Sequence, residues 1–454
     1  MTEQLKLKLN DSKATRWGAL VIVAFTMMAA YYVNDVVAPL KTMLETDLAW
    51  SSTDFGFFTG GYSFLNVFFL MLIWGGLILD RFGIRFTGKL ATILMVGGTA
   101  LEYYAMTGLA GADATLFGIN EIFGYKTGVF VAFAGYSIFG VGAEVAGITV
   151  SKIIAKWFKG KELATAMGVQ VALARIGSQA GYAVAIPLAR AFGISTPVLL
   201  GLVLLLGGMI AFFVFAVMDK KLDKQMEAAA IAAGTEDEEE KFSFKDVKNI
   251  LVNPGFWLIA LLCVLFYSCV FPFQKFASEL MIIKYGINEN VAGTFAGLPA
   301  LGALILTPVF GGFIDKRGKS ASIMLLGSAM LICVHFIYAI PDINYWLVAI
   351  VLMIILGIAF SLVPSAMWPA VAKIFPVSQL GTAYALIFFI QNIGLWGIPT
   401  LIGWVLDAYC ISGKKPDGTN MYDYTVPMCI FTGIACLSLI VALLAEEGRQ
   451  EVWL

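Results

Sequence analysis

Apolar runs of about twenty residues or more recur along this chain, and they restrict its fold more than any other feature. They lie near 16–40, 55–79, 86–108, 127–156, 163–192, 196–218, 255–283, 290–314, 320–340, 345–373, 378–407 and 425–446. Each is long enough to cross about 30 Å of hydrocarbon. In lipid every backbone polar group must be satisfied internally, which leaves helices and closed barrels as spanning structures. Runs of this length are not the roughly ten-residue alternating strands of a barrel. The 13% of charged residues is about half the ~25% of soluble domains. The expectation is an all-α membrane protein with twelve transmembrane helices.

Two short segments repeat between these runs. Gly76-x-x-x-Asp80-Arg81-x-Gly83-x-Arg85 returns 235 positions later as Gly311-x-x-x-Asp315-Lys316-x-Gly318-Lys319. Further on, Leu163-x-Thr165-Ala166 returns as Leu380-x-Thr382-Ala383 at an offset of 217. One insertion of 18 residues explains both offsets. It falls in a loop near 109–126 whose counterpart is a few residues around Pro341–Asn344. The chain is therefore expected to form two pseudo-symmetric six-helix bundles, 1–218 and 249–454, of parallel topology about an axis along the membrane normal. Residues 219–248, with Lys220, Lys221 and the acidic run 236–240, read as a solvated linker. In the duplicated turn, glycine permits the tight reversal and Asp80 or Asp315 accepts from helix amides. Arg81, Arg85 and Lys316 bind that carboxylate or anionic headgroups. Such a turn is a candidate gate latch.

Charge placement gives an orientation. Most of the 30 Lys and Arg fall on the side of the N-terminus. The exceptions are Lys41, Lys126, Arg190, Lys284, Lys414 and Lys415 opposite, and Arg175 and Lys275 inside runs. The positive-inside rule then sets both termini in the cytoplasm. A net charge of −1 implies no nucleic-acid partner. The six cysteines show no metal spacing, and no metal or cofactor is expected. Cys410 and Cys429 flank a loop and are either free or paired. The first run is too long for a signal peptide and lacks a small-residue cleavage site, so no cleaved leader is expected.

Ionisable residues within the membrane are costly and are the default site candidates. Glu144 lies 14 residues before Phe158, and Arg175 14 residues after Lys161. Both are thus about 20 Å from the turn joining the fourth and fifth runs, near the midplane. Arginine offers a two-pronged donor for a carboxylate, and a glutamate takes an ammonium. At the 217 offset, Glu144 maps to Ser361 and Arg175 to Asn392 beside Gln391, so the cavity is charged on one side only. Trp368, Tyr384 and Tyr62 are candidate walls, with Tyr31, Tyr32 and Tyr267. Asp35 and Lys275 lie towards the outer face, with Glu279 one turn beyond, and form a candidate outer gate. Glu102 is expected at the interface, and His335 in packing.

The duplicated turn and the twelve runs resemble the major facilitator superfamily over essentially the whole chain. Several segments look similar to its lysosomal dipeptide transporter family and prokaryotic relatives. They are Asp80-Arg-Phe-Gly-Ile-Arg85, Trp157-Phe-Lys-Gly-Lys-Glu-Leu163, Ala174-Arg-Ile-Gly-Ser178, Val270-Phe-Pro-Phe273, Met367-Trp-Pro369 and Gln379-Leu-Gly-Thr-Ala-Tyr384 with Gln391-Asn392. The resemblance implies that Glu144 and Arg175 contact the termini of a short peptide. Two features depart from it. Tyr136, four residues before Gly140, stands where many superfamily members carry arginine. Residues Met1–Arg16 hold no acidic dileucine sorting signal, which sets the expected location in a cytoplasmic (inner) membrane.

The resulting expectation is a monomeric transporter of dipeptides working by alternating access, either facilitative or coupled to protons through Glu144. Its partners are a peptide-like zwitterion and the lipid bilayer. The alternatives are an organic-anion or nitrate-type porter using Arg175 alone, and a drug exporter. An enzyme or receptor would need a catalytic cluster or a soluble domain, and the sequence offers neither.

Overall fold

The structure is a computed structural model, and it describes residues 8–111, 114–233, 244–317 and 320–447. The helices of the first half are α1 (Lys13–Val36), α2 (Lys41–Leu48), α3 (Ser52–Phe68), α4 (Met71–Thr107), α5 (Thr127–Trp157), α6 (Leu163–Phe192) and α7 (Thr196–Ala233). Those of the second are α8 (Phe244–Val252), α9 (Pro254–Tyr285), α10 (Glu289–Ala296), α11 (Leu298–Arg317), α12 (Ser320–Ala339), α13 (Trp346–Ile374), α14 (Val377–Tyr409) and α15 (Thr425–Glu447). Two antiparallel hairpins complete the chain: β1 (Glu121–Ile122) with β2 (Tyr125–Lys126), and β3 (Ile411–Lys414) with β4 (Asn420–Tyr422).

Among the described residues nine helices are long and apolar enough to cross a membrane, or ten if the bent pair α3 and α4 is one span. This is fewer than the twelve runs of the sequence, for two reasons. The second and third runs are not separated by a loop, because α4 continues through the turn with a break only at Gly83 (φ 75°, ψ 173°). That backbone geometry is open to glycine and strained for other residues. The fifth run, α6, carries Arg175, Arg190, Gln170 and Gln179, which lower its hydropathy. Large apolar side chains on the outer faces, among them Ile210, Val309 and Ile440, are more than half exposed. In water such faces would be a liability, and in hydrocarbon they are the solvated surface.

Helix starts follow local chemistry. Ser51 Oγ accepts from the Asp54 amide at 3.0 Å while Asp54 Oδ2 accepts from the Ser51 amide at 2.9 Å, a reciprocal cap that begins α3. Asn253 caps α9 ahead of Pro254, and Gly286 at φ 59° ends it.

Packing follows the two halves. α1 lies against α6 and α7, α4 against α5 and α7, and α3 against α5; α9 lies against α14 and α15, α12 against α13 and α15, and α11 against α13. Between the halves, α3 meets α14, and α6 meets α10 and α11. The insertion read from the repeat offsets is visible: the α4–α5 connection holds the β1–β2 hairpin, while that between α12 and α13 is only 340–345. The expected linker is partly helical, since α7 runs to Ala233 and α8 begins at Phe244; the acidic run 236–240 lies outside the described residues.

Candidate functional site

A cavity of about 1200 Å³ lies between the halves. At one end its lining reaches Asp80, Ser151 and Gly381, all exposed. At the other it stops at Asn34, Tyr136 and Lys275.

Glu144 and Arg175 both line it. Two close helix crossings aim them there. A Cβ on Gly140 would stand 2.0 Å from the Tyr62 carbonyl oxygen, and one on Gly177 would stand 2.1 Å from that of Met28. Only glycine permits α5 to press on α3, and α6 on α1, this tightly. The Tyr62 hydroxyl donates to Glu144 Oε1 at 3.0 Å. The Arg175 guanidinium lies 4.8 Å from the Phe360 ring centroid and 5.7 Å from that of Tyr31. It has no ion-pair partner among the described residues. The two charges share the cavity without forming a salt bridge to each other.

Tyr62, Trp368, Tyr384, Gln391, Tyr31 and Tyr267 also line the cavity. Trp368 Nε1 donates to the Tyr267 hydroxyl at 3.4 Å, and the Tyr384 hydroxyl donates to the Trp368 carbonyl at 3.1 Å. Gln391 Oε1 accepts from Cys263 Sγ at 3.3 Å. Ser361 and Asn392 are corrections to the sequence reading, because neither lines the cavity. Both are buried; Ser361 Oγ donates to the Gly357 carbonyl at 2.7 Å and Asn392 Nδ2 to the Phe388 carbonyl at 2.9 Å, each on its own helix. The repeat offset did not carry the face of the helix. Tyr32 likewise turns away, donating to the Pro197 carbonyl. Sequence reasoning missed Phe360, the ring under Arg175, which has no signal in an apolar run.

The end away from Asp80 is closed by charges that cross between the halves. Lys275 Nζ lies 3.1 Å from Asp35 Oδ1, the pairing expected from depth, and also donates to the Asn34 carbonyl at 2.6 Å. Further out, Lys41 Nζ lies 2.5 Å from Glu45 Oε1 and 2.5 Å from Glu279 Oε2. Lys415, on the turn after β3, lies 3.4 Å from Glu45 and 3.6 Å from Glu279. The Tyr424 hydroxyl donates to Glu279 as well. Asp407 accepts from the Ser52 and Thr53 amides and the Tyr422 hydroxyl. Of the residues further out than Asp35 and Lys275, the sequence flagged Glu279 as part of a gate.

At the other end the duplicated turn behaves differently from expectation. Asp80 pairs with Lys152 of α5 at 3.0 Å, not with its own turn's arginines. Arg85 reaches Asp223 of α7 at 2.8 Å, and Arg81 lies over the Phe82 ring. In the second copy Lys316 is exposed, and the Asp315 side chain lies outside the described residues. All six cysteines are free, Cys410 buried and Cys429 exposed. His335 is buried against Phe273 and Phe431.

Apolar helices around a charge-lined cavity, sealed at one end and open at the other, define a membrane transporter. Residues 20–399 match the sequence model of the Major Facilitator Superfamily, and the chain belongs to that superfamily. It is 29% identical over 409 residues to the "Lysosomal dipeptide transporter MFSD1" of Homo sapiens, covering 87% of this chain and 81% of the relative. It is 28% identical over 407 residues to the protein of that name from Mus musculus, covering 87% and 81%. Among solved structures, a mutant form of the nucleoside transporter NupG superposes with TM-score 0.69 at 12% identity, covering 94% of this chain and 98% of that one. A D-xylose-proton symporter superposes with TM-score 0.66 at 15% identity, covering 94% and 97%. These superpositions show the major facilitator fold. The chain is a multi-pass integral membrane transporter and not an enzyme.

Proposed function

We propose that this protein moves short peptides, chiefly dipeptides, across a cytoplasmic membrane by alternating access. In this reading two bundles, 1–218 and 249–454, rock about the cavity, and both termini face the cytoplasm. The observation that carries it is the pair of separated hooks in one cavity: an Arg175 guanidinium with no ion-pair partner among the described residues, and a Glu144 carboxyl that accepts from the Tyr62 hydroxyl. Arg175 takes the peptide carboxylate in a fork, supported below by Phe360. Glu144 takes the ammonium, and Tyr62 keeps its carboxyl aimed. Trp368, Tyr384 and Gln391 form the opposite wall. At about 1200 Å³ the cavity exceeds the ~300–1,000 Å³ usual for a small-ligand pocket, which suits a substrate of constant ends and varied side chains. The names of the relatives support the same substrate class. The protein acts as a monomer, since cavity and outer seal are complete within one chain.

The test is ligand-dependent thermal stabilisation of the purified protein with dipeptides, amino acids and dicarboxylates. Dipeptides should raise Tm, and Arg175→Ala and Glu144→Gln should each abolish the shift. Stabilisation by dicarboxylates with none by dipeptides would replace this reading with an organic-anion porter.

A further inference from the structure

Glu102 was expected at the membrane interface, and it is instead completely buried. It sits between α4 and α5 where the two backbones nearly touch: a Cβ on Gly135 would stand 2.6 Å from the Gly98 carbonyl oxygen and 2.8 Å from the Glu102 nitrogen. Neither carboxyl oxygen has a hydrogen-bond partner among the described residues, and the same holds for Thr99 Oγ1, one turn earlier on α4. Two buried polar side chains without partners, on one face of one helix, are not explained by packing.

The charges around Glu102 belong to the outer gate. Tyr136 of α5 and Lys275 of α9 lie within electrostatic reach of it. Asp35 of α1 is paired with Lys275. On α3, Asp54 turns to Ser51 and Tyr62 to Glu144. The membrane part of α7, residues 196–218, contains no ionisable side chain. An ammonium has three donors, and those of Lys275 have three acceptors here: the Asn34 carbonyl at 2.6 Å, Asp35 Oδ1 at 3.1 Å and the Tyr136 hydroxyl at 3.4 Å. Glu102 is not one of them, and its carboxyl has no hydrogen-bond partner among the described residues while the gate is shut. A carboxylate buried in that condition is far costlier than a neutral acid.

We propose that Glu102 is a proton-binding site of the outer gate, loaded with a proton while Asp35 and Lys275 are paired and exchanging it with water when they separate. Asp35, Tyr136 and Glu102 stand on the first half and Lys275 on the second. Opening the gate withdraws α9 and wets the α1–α5 face beside Glu102. The carboxyl then ionises, and closure takes one proton back. The linkage sign follows: the closed state binds more protons, so falling pH favours closure and rising pH favours opening. With one proton exchanged, the closed-to-open ratio changes by up to about tenfold per pH unit. The proposal does not depend on the substrate, and its test uses no ligand, so a wrong substrate class would leave it standing.

Two measurements on the full chain in lipid nanodiscs test it. The first is the infrared difference between wild type and Glu102→Gln, read at the carbonyl stretch of a protonated carboxylic acid. A band present in wild type and missing from the variant is expected; identical spectra overturn the proposal. The second is the spin-label distance between Asp47→Cys and Asp342→Cys, exposed positions on the two halves at the gated end, in a background without the native cysteines. Between about pH 8 and about pH 5 the short-distance population should grow in wild type and stay constant, at the short distance, in Glu102→Gln. A pH dependence that survives in the variant overturns the proposal. Should Glu102→Gln fail to fold, Glu102→Asp takes its place in the infrared experiment: a displaced acid band supports the assignment, and an unchanged band rejects it.

Discussion

The two ends of the cavity use the same side-chain types to opposite effect. At the end closed by Asp35 and Glu279, lysines pair with carboxylates across the halves, and the Lys41 and Glu279 side chains are almost completely buried. At the Asp80 end, the pairs Asp80–Lys152, Arg85–Asp223, Lys156–Asp219 and Arg16–Glu162 all stay among α1–α7 and the α5–α6 turn, and most are partly exposed. The first arrangement joins the halves, and the second stiffens one of them. Only the first must break when the transporter changes state. The duplicated turn, which the sequence presents as a latch, stiffens the first half in this conformation and leaves the closing to other residues.

The difference can be broken most severely at Lys41. Lys41→Met strands Glu45 and Glu279 side by side, and removing one partner of a buried pair costs about 3–5 kcal/mol. The closed-to-open ratio should fall on the order of 10²–10⁴-fold. An Ala30→Cys probe on the cavity wall, in a background lacking the exposed cysteines, reads this: a membrane-impermeant thiol reagent added from the hairpin side should label it much faster in the Lys41 variant. An unchanged rate means that the network does not seal the cavity.

A smaller effect is expected at Asp35 and Lys275, which are about a tenth exposed. Reversing either charge should cost about 2 kcal/mol of closed state and raise Ala30→Cys labelling. The double swap, Asp35→Lys with Lys275→Asp, should bring it back towards wild type. Equal labelling in all three variants would show that the two residues do not act as a pair.

Asp80→Asn should do less again. Exposed ion pairs contribute below about 1 kcal/mol, so Tm should drop slightly and Ala30→Cys labelling should not change. Faster or slower labelling would restore the latch reading of the turn.

The smallest effect concerns acid. Hydrogen bonds from Lys161 hold the Asp11 carboxyl below its ordinary range, and those from Arg16 do the same for Glu162. Both values are depressed on folding, so the stabilisation is present above about pH 4 and lost as pH falls through the lower folded values. Amide exchange in residues 9–20, corrected for its intrinsic pH dependence, should therefore rise below about pH 4.

Hydrophobic length is a one-dimensional property, and it was legible. The apolar runs gave the helical class, the repeat offsets located the inserted loop, and counting from the α5–α6 turn singled out Glu144 and Arg175, which line one cavity. Helix face was not legible, which is why Ser361 and Asn392 point away from the cavity. Nor were partners brought from distant loops: Lys415 meets Glu45 across 370 positions, and nothing near either residue announces the other. Glu102 was misjudged because its distance from the helix end suggested water. The Gly98–Gly135 approach that buries it is a contact between two helices, visible only once they are docked.

The placement of Lys415 has a pharmacological side. One of the charges sealing the cavity, Lys415, sits on a surface hairpin, so the seal can be grasped without entering the transport path. An antibody fragment raised against Ile411–Tyr422 in its paired form would clamp the protein shut from the far side of the membrane. One that peels the hairpin away would pull a cation out of the lock. Either would act on turnover while leaving the substrate pocket untouched, and so would spare relatives that share the pocket but carry a different hairpin.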